Sequence, residues 1–343
     1  MLKLSRDLGV DLGTSNVVIY AEGKGIVLRE PAVVAVDKTS GKVLQVGAAA
    51  RNMMGRTPGN VVAIHPLRGG VISDYELTQK MMAAFLSKVI RFSFIKPRVV
   101  VSVPSGITEV EERAVIQAIM EAGARRVYLI EAPLAAGLGA QLDLDGANGH
   151  MVIDIGGGTT DIAVLSMNGV AESSSVKVAG DAFDEAIVRY IRKKYGVVIG
   201  SNTAEELKMT IGCVYPRDDT FVMQTKGRDI KTGLAKEIVV QANDAMEAMF
   251  PIAKQIAEEV LGVLERSSPE LIADVSVNGI VLTGGSSQIW GMDRLLAEVT
   301  KIPCVVADDA DSCCAYGCGK SLGWIRQMQE GTINIARKKL LKD

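Results

Sequence analysis

The sequence predicts an α/β fold made of two duplicated domains that face a shared cleft. Three observations carry this. A Gly-rich hairpin spans residues 151–165: strand-like runs Met151–Ile155 and Asp161–Leu165 flank Gly156-Gly157-Gly158-Thr159-Thr160. A second hairpin at residues 9–20 repeats the plan, with an apolar strand ending in Asp11, a Gly/Thr/Ser/Asn turn and another apolar strand. Strand-like and helical segments then alternate after each hairpin. With 343 residues, 48% of them hydrophobic, the chain has enough material for two cores.

The chemistry of the hairpins follows from what their turns lack. Glycines let backbone N–H groups turn toward a bound anion, and no side chain blocks a phosphate. Asp154 enters its turn as a carboxylate suited to a magnesium ion. For one such hairpin, an ordinary tight turn explains the sequence as well as a phosphate site does. The second copy shifts the balance, because each half then offers one loop and one carboxylate.

Between the hairpins the elements read in order. Gly25–Leu28, Ala32–Val36, Lys42–Val46 and Val61–Ile64 are short strand-like runs, forming a small insertion on the first sheet. Residues 76–91 have helical spacing. Phe92-Ser-Phe-Ile-Lys-Pro is unusually apolar for a turn, flanked by Arg91, Lys96 and Arg98. Packing beneath the helix explains it, as does a loop dipping into an anionic membrane; spacing alone favours packing. Val99–Val103 is a buried strand. Thr108 and Glu111 form a capping box for a helix running to Gly123, with an apolar face of Val110, Ala114, Val115, Ala118 and Ile119. Val127–Ile130 is a strand, followed by a small-residue helix, Leu134–Gln141.

After the central hairpin, Val170–Val178 is strand-like and Asp181–Tyr195 is an amphipathic helix capped by Gly196. Thr203 and Glu206 suggest another capping box. Residues 219–241 read as a strand pair around Lys226-Gly-Arg-Asp. Asn243 suits the cap of a long helix to Glu265, kinked or broken at Pro251. Gly279–Leu282 is a strand leading into Thr283-Gly284-Gly285-Ser286-Ser287 and a helix, which is either an ordinary βα loop or another nucleotide contact.

Several function classes are disfavoured. Net charge is −2, so no global basic field recruits nucleic acid. No apolar run reaches the roughly 18 residues of a membrane span. Met1-Leu-Lys-Leu-Ser-Arg-Asp leads almost directly into the first strand without a signal-peptide region, so a cytosolic protein is expected. The five cysteines then read as reduced, buried thiols rather than a metal centre. Gly319-Lys320-Ser321 mimics the end of a Walker loop, but Cys314 stands where the first glycine belongs.

The ordered set Asp11-Leu-Gly-Thr-Ser-Asn, Val103-Pro-Ser-Gly-Ile-Thr-Glu-Val-Glu-Glu-Arg, Asp154-Ile-Gly-Gly-Gly-Thr-Thr-Asp and Leu282-Thr-Gly-Gly resembles the actin-like ATPase superfamily. Arg56-Thr-Pro-Gly-Asn, Pro66-Leu-Arg, Gly70-Val-Ile-Ser-Asp-Tyr, Thr203-Ala-Glu-Glu-Leu-Lys and Lys226-Gly-Arg-Asp with Thr232-Gly-Leu are more specifically similar to its MreB family of bacterial rod-shape-determining actin homologues. The resemblance spans essentially the whole chain. It implies an actin-like fold in which each domain is a mixed sheet flanked by helices, with ATP and magnesium in the cleft. It implies a first domain at 1–145 with a small insertion at about 33–65 and a second at 146–320 with an insertion at about 182–247. Residues 321–343 would form a C-terminal helix and tail packing back on the first domain.

The same resemblance implies roles. Thr14, Ser15 and Asn16 match the first phosphate loop, and Gly157, Gly158 and Thr159 the second. Asp11 and Asp154 match magnesium-side carboxylates acting through waters. Glu205, Glu206, Leu207 and Lys208 match an adenosine-side helix; Gly284, Gly285, Ser286 and Ser287 match an adenosine loop that usually has a third glycine at the Ser286 position. Phe94 and Ile95 match a membrane-inserting loop, which reverses the packing preference. The family's Glu-Glu-Pro is here Glu131-Ala132-Pro133, so the group that positions the attacking water is missing. Weak or absent hydrolysis is expected, with Glu131 a doubtful substitute and Thr160 the other catalytic candidate.

The implied protein is a filament of paired protofilaments on the inner face of the cytoplasmic membrane, guiding wall synthesis with cell-wall elongation proteins and binding no nucleic acid. Alternatives are a hydrolysis-deficient paralogue that co-polymerises with an active relative, a small-molecule kinase of the same fold, and a chaperone-type ATPase.

Overall fold

The computed structural model describes residues 7–90, 95–217 and 221–325. The chain opens with a meander, β1 (Leu8–Leu12), β2 (Asn16–Ala21) and β3 (Gly25–Pro31). A small sheet follows, from β4 (Val34–Asp37), β5 (Val43–Val46), the short helix α1 (Ala48–Arg51) and β6 (Val61–Ile64). A two-strand ribbon, β7 (Leu67–Arg68) and β8 (Val71–Ile72), leads to α2 (Tyr75–Val89), whose first turn is capped by Asp74. Then come β9 (Arg98–Val103), α3 (Glu109–Glu121), β10 (Arg126–Glu131) and α4 (Ala132–Gly139).

The second half opens the same way, with β11 (His150–Ile155), β12 (Thr160–Ser166) and β13 (Gly169–Val176). Helix α5 (Gly180–Tyr195), β14 (Val197–Val198), α6 (Ser201–Ile211), β15 (Val222–Asp229) and β16 (Ala235–Gln241) follow. The chain continues through α7 (Ala242–Arg266), α8 (Pro269–Asn278), β17 (Ile280–Thr283), α9 (Met292–Thr300), β18 (Cys304–Val306) and α10 (Cys313–Ile325).

Sheet order shows the duplication directly. The first sheet runs β10-β9-β1-β2-β3, and the second β18-β17-β11-β12-β13. In each, the opening strand pairs antiparallel with the next and parallel with a strand reached by a long crossover. Buried runs such as Val99–Val101 and Met151–Ile153 fit central strands covered on both faces.

Each half has its own apolar core. A third core joins them: α4 and α10 pack together with Val100 and Ile130 of the first sheet and Val152, Ala163 and Leu165 of the second. Two glycines allow the helices to touch. A Cβ on Gly317 would lie 1.7 Å from the Ala135 carbonyl oxygen, and one on Gly139 would lie 1.8 Å from that of Cys313. Helix α10, which also packs on β1, β2 and β9 of the first sheet, starts at Cys313. The tail at 326–343 lies outside the described residues.

Other expectations change in detail. The Thr108–Glu111 capping box is present, but Val110 is 76% exposed; the buried face of α3 is Val115, Ala118 and Ile119. Helix α6 starts at Ser201, with Gly200 extended at its cap, so Thr203 and Glu206 lie within the helix. Lys226–Asp229 belongs to β15, and the turn comes after it. The cap of α7 is a Gln241–Asp244 box rather than Asn243, and the helix runs through Pro251 unbroken. Helix α8 is not foreseen from the sequence, although Ser268 and Pro269 mark its start with a cap and a first-turn proline.

Replacing Gly317 by Ala should destabilise the fold by about 1–3 kcal/mol, the usual cost of overpacking. Gly323→Ala on the same helix, where an added Cβ meets nothing within 4 Å, should be neutral or stabilising by about 0.5–1 kcal/mol. Urea denaturation of both variants checks this pair.

Candidate functional site

The two Gly-rich hairpins meet tip to tip. In the first, Asp11 lies one residue before the end of β1, and Gly13 N–H donates to the Asn16 carbonyl at 3.1 Å to close the turn. In the second, Asp154 holds the same place on β11, and Gly156 N–H donates to the Thr159 carbonyl at 2.9 Å. A Cβ on Gly157 would fall 1.9 Å from Ser15 Oγ, and one on Gly158 would fall 2.3 Å from Thr14 Oγ1. Only glycine permits that approach. The second turn is braced from behind, with Gly180 N–H donating to the Gly156 carbonyl at 3.1 Å and Asp181 N–H to that of Gly157 at 2.8 Å.

Between the hairpins opens a cavity of about 350 Å³. The structure brings Asp11, Thr14, Ser15, Asn16, Asp154, Gly157, Gly158, Thr159, Glu205, Lys208, Gly284, Gly285 and Ser286 onto its wall. Gly284 has φ of 81°, and a Cβ there would strike the Ile155 carbonyl oxygen at 2.4 Å. Ser286 Oγ donates to the Gly156 carbonyl at 2.8 Å, tying the third loop to the second hairpin.

Other candidates stand elsewhere. Leu207 is in the second core, and Glu206 faces solvent. Ser287 is buried and donates to the Gly284 carbonyl. Thr160 is fully buried with its hydroxyl on the Val178 carbonyl at 2.7 Å, so it does not face the cavity. Glu131 is also off the wall, its carboxylate accepting from Ser105 Oγ at 2.9 Å, while Ala132 is on it. Ile95 is 37% exposed, and Phe94 lies outside the described residues.

The site contains groups that sequence reasoning missed. Asp161, paired across the hairpin from Asp154, also lines the cavity and accepts from Ser105 N–H at 3.0 Å. Its place in the Asp154-to-Asp161 motif was the available signal. Arg29 pairs with Asp311 and Ser312, and Arg51 pairs with Glu205. These contacts join residues far apart in the chain and leave no local signal.

The electrostatics are unbalanced. Burial pushes the Asp154 carboxyl up to about 8, with the charges of Asp11 and Asp161 adding to the rise. Burial also pushes Asp11 up to about 6 against the hydrogen bond from Ser102. Asp161 is raised by the same desolvation. Among the described residues no three His, Cys, Asp or Glu side chains form a cluster able to hold a metal ion by themselves. Chemically, the cavity offers glycine N–H groups for an anion and two apposed carboxylates for a cation.

The MreB/Mbl protein family model matches residues 5–330. The cell shape-determining protein Mbl of Bacillus cereus is 47% identical over 92% of this chain and 95% of its own. The cell shape-determining protein MreB of Escherichia coli is 47% identical over 94% of each chain. MreB5 of Spiroplasma citri, in a crystal structure bound to ADP, superposes with a TM-score of 0.90 at 34% identity, covering 94% of this chain and 98% of that one. The same protein bound to AMPPNP gives 0.88.

The raised carboxyls fix a pH dependence. Asp154 holds its proton in the folded state from the ordinary value of 3.8 to about 8, whereas the unfolded chain has lost it. Folding therefore binds protons in this window, and stability falls as pH rises through it. The melting temperature of the ligand-free protein in a chelator should drop between pH 4 and pH 8, with a shallower slope in Asp154→Asn. A slope unchanged by the substitution would contradict the assignment.

Proposed function

This chain belongs to the MreB/Mbl family, and we propose that it is an ATP-binding, filament-forming cytoskeletal protein of cell shape, assembling on the inner face of the cytoplasmic membrane. The observation that carries the nucleotide part is the apposition of the two glycine hairpins at one cavity, with Asp11 and Asp154 at matching places behind them. The ADP- and AMPPNP-bound relatives of the same fold support it. In this reading the backbone N–H groups of both turns cradle the phosphates, and the segment of Glu205 and Lys208 and the loop at Gly284–Ser286 flank the adenosine.

The carboxylates fit a magnesium ion. Two buried acids whose charges repel each other are relieved by a divalent cation between them, and magnesium takes one or two carboxylates together with waters and phosphate oxygens. When bound, it would neutralise phosphate charge. Asp11 and Asp154 would orient its shell, held by Ser102 Oγ at 2.8 Å and Thr283 Oγ1 at 3.0 Å.

Hydrolysis is the weak point. Phosphoryl transfer to water needs an acceptor that positions the nucleophile. Ala132 presents a methyl group on the cavity wall, and Glu131 is turned to Ser105. The chain therefore binds ATP and turns it over slowly. The role in cell shape is supported by the names of its relatives and self-assembly by their shared fold; cell-wall elongation proteins are part of the same proposal. Membrane attachment rests on the exposed Ile95 beside Phe94. Among the described residues no helix is long and apolar enough to cross a membrane, so attachment would be peripheral.

Sedimentation and electron microscopy with ATP on anionic liposomes, with phosphate release followed in parallel, test the whole. Filaments with little phosphate are expected, and no filaments under any nucleotide would reject the assembly reading. Ala132→Glu should raise phosphate release by about tenfold or more. Joint replacement of Phe94 and Ile95 by Ser should abolish liposome pelleting and leave ATP-driven assembly intact.

A further inference from the structure

The cleft is poor in free positive charge for a polyphosphate ligand. Among the described residues, Asp11, Asp154, Asp161, Glu205 and Asp311 line it against Arg29, Arg51 and Lys208. Lys208 is committed to Asp184 at 2.9 Å and to the Gly180 carbonyl at 3.1 Å, with its side chain 11% exposed. Arg51 is paired with Glu205, on the helix assigned to the adenosine side.

Arg29 is placed differently. It lies on β3 directly across from Val18 of β2, the strand that leaves the first phosphate turn at Asn16, and both residues line the cavity. It is near enough to Asp11 for its charge to favour that carboxylate's ionised form. Its present partners are Asp311 and Ser312, on the turn before α10. The Arg29 and Asp311 side chains are 43% and 39% exposed, so this bond is open to solvent and exchanges at low cost.

We propose that Arg29 is a phosphate-binding residue of this cleft, which leaves Asp311 for the polyphosphate of a bound nucleotide. A guanidinium fork matches phosphate oxygens bidentately, and a polyphosphate carries several charges where Asp311 carries one. Asp311 thus acts as an internal stand-in for the ligand. The exchange also has a structural consequence. The Ala310 carbonyl beside Asp311 accepts from Gly284 N–H at 2.8 Å, so the Arg29–Asp311 bond joins the first sheet to the adenosine loop of the second half, and ligand binding releases that link.

This inference rests on the ATP reading above. The test is calorimetric titration of the full chain with ATP and ADP, each with magnesium, and with adenosine alone. Arg29→Gln should weaken ATP and ADP by about tenfold or more and leave adenosine unchanged. Asp311→Asn, which removes the competitor, should tighten ATP and ADP severalfold. An Arg29→Gln variant that binds nucleotides as the parent does, or that loses adenosine equally, overturns the proposal. So does an Asp311→Asn variant that weakens nucleotides or leaves them unchanged; that result decides the matter alone should Arg29→Gln fail to fold. If the parent chain binds neither nucleotide, the ATP reading falls and this inference falls with it. If the parent binds and Arg29 proves indifferent, only this inference falls.

Discussion

Two backbone turns meet across a gap that admits no Cβ, and the rest of the structure is arranged to keep them there. Gly157 and Gly158 lie against Ser15 and Thr14 so closely that any side chain would collide. Each turn hangs from the same position in its sheet, between an opening strand and its antiparallel neighbour. Duplication alone would give two such turns without making them face each other. The facing is set by α4 and α10, which lie between the sheets and touch through Gly139 and Gly317. Close packing of this kind transmits position well, because a packed interior has few voids to absorb a shift.

That scaffold holds charge where charge is costly. Asp11, Asp154 and Asp161 are buried near one another; Ser102 donates to Asp11, Thr283 and the Cys314 thiol to Asp154, and the Ser105 amide with the Ser175 and Thr159 hydroxyls to Asp161. These donors do not offset desolvation, and the raised carboxyls record the difference. A fold selected only for stability has little use for such a cluster. A fold that must discriminate between an empty and a cation-loaded cleft gains from it, because the ligand relieves the repulsion and the apo state cannot.

Much of this was legible in the sequence, for a physical reason. The hairpins announce themselves because glycine, threonine and aspartate act within a few residues of where they stand. The Thr108–Glu111 box was visible on the same ground. The parallel reading of Thr203 and Glu206 failed because Gly200 is extended and lets the helix begin at Ser201, which puts Thr203 inside the first turn. Asn243 failed because its neighbours Gln241 and Asp244 close a capping box around it. The cleft cations were out of reach altogether. Arg29 finds Asp311, and Arg51 finds Glu205, only after both halves have folded, and no spacing in the chain encodes a contact made across the cleft.

Under the proposed function, the two positions at which the sequence departs from the expected family pattern would act in opposite directions on the same ligand. Ser286 stands where the resemblance leads one to expect a glycine, and its hydroxyl reaches the Gly156 carbonyl, fastening its loop to the second glycine hairpin. Ala132, on the cavity wall where the resemblance leads one to expect a glutamate, offers no side-chain acceptor to aim a water. Stiffer loops beside a wall without a water-positioning group would favour residence of the proposed nucleotide over its turnover. If ATP is the ligand, as proposed, a cleft biased this way would keep whatever conformation ATP selects for as long as ATP stays. The lifetime of that conformation would then be set by dissociation rather than by chemistry.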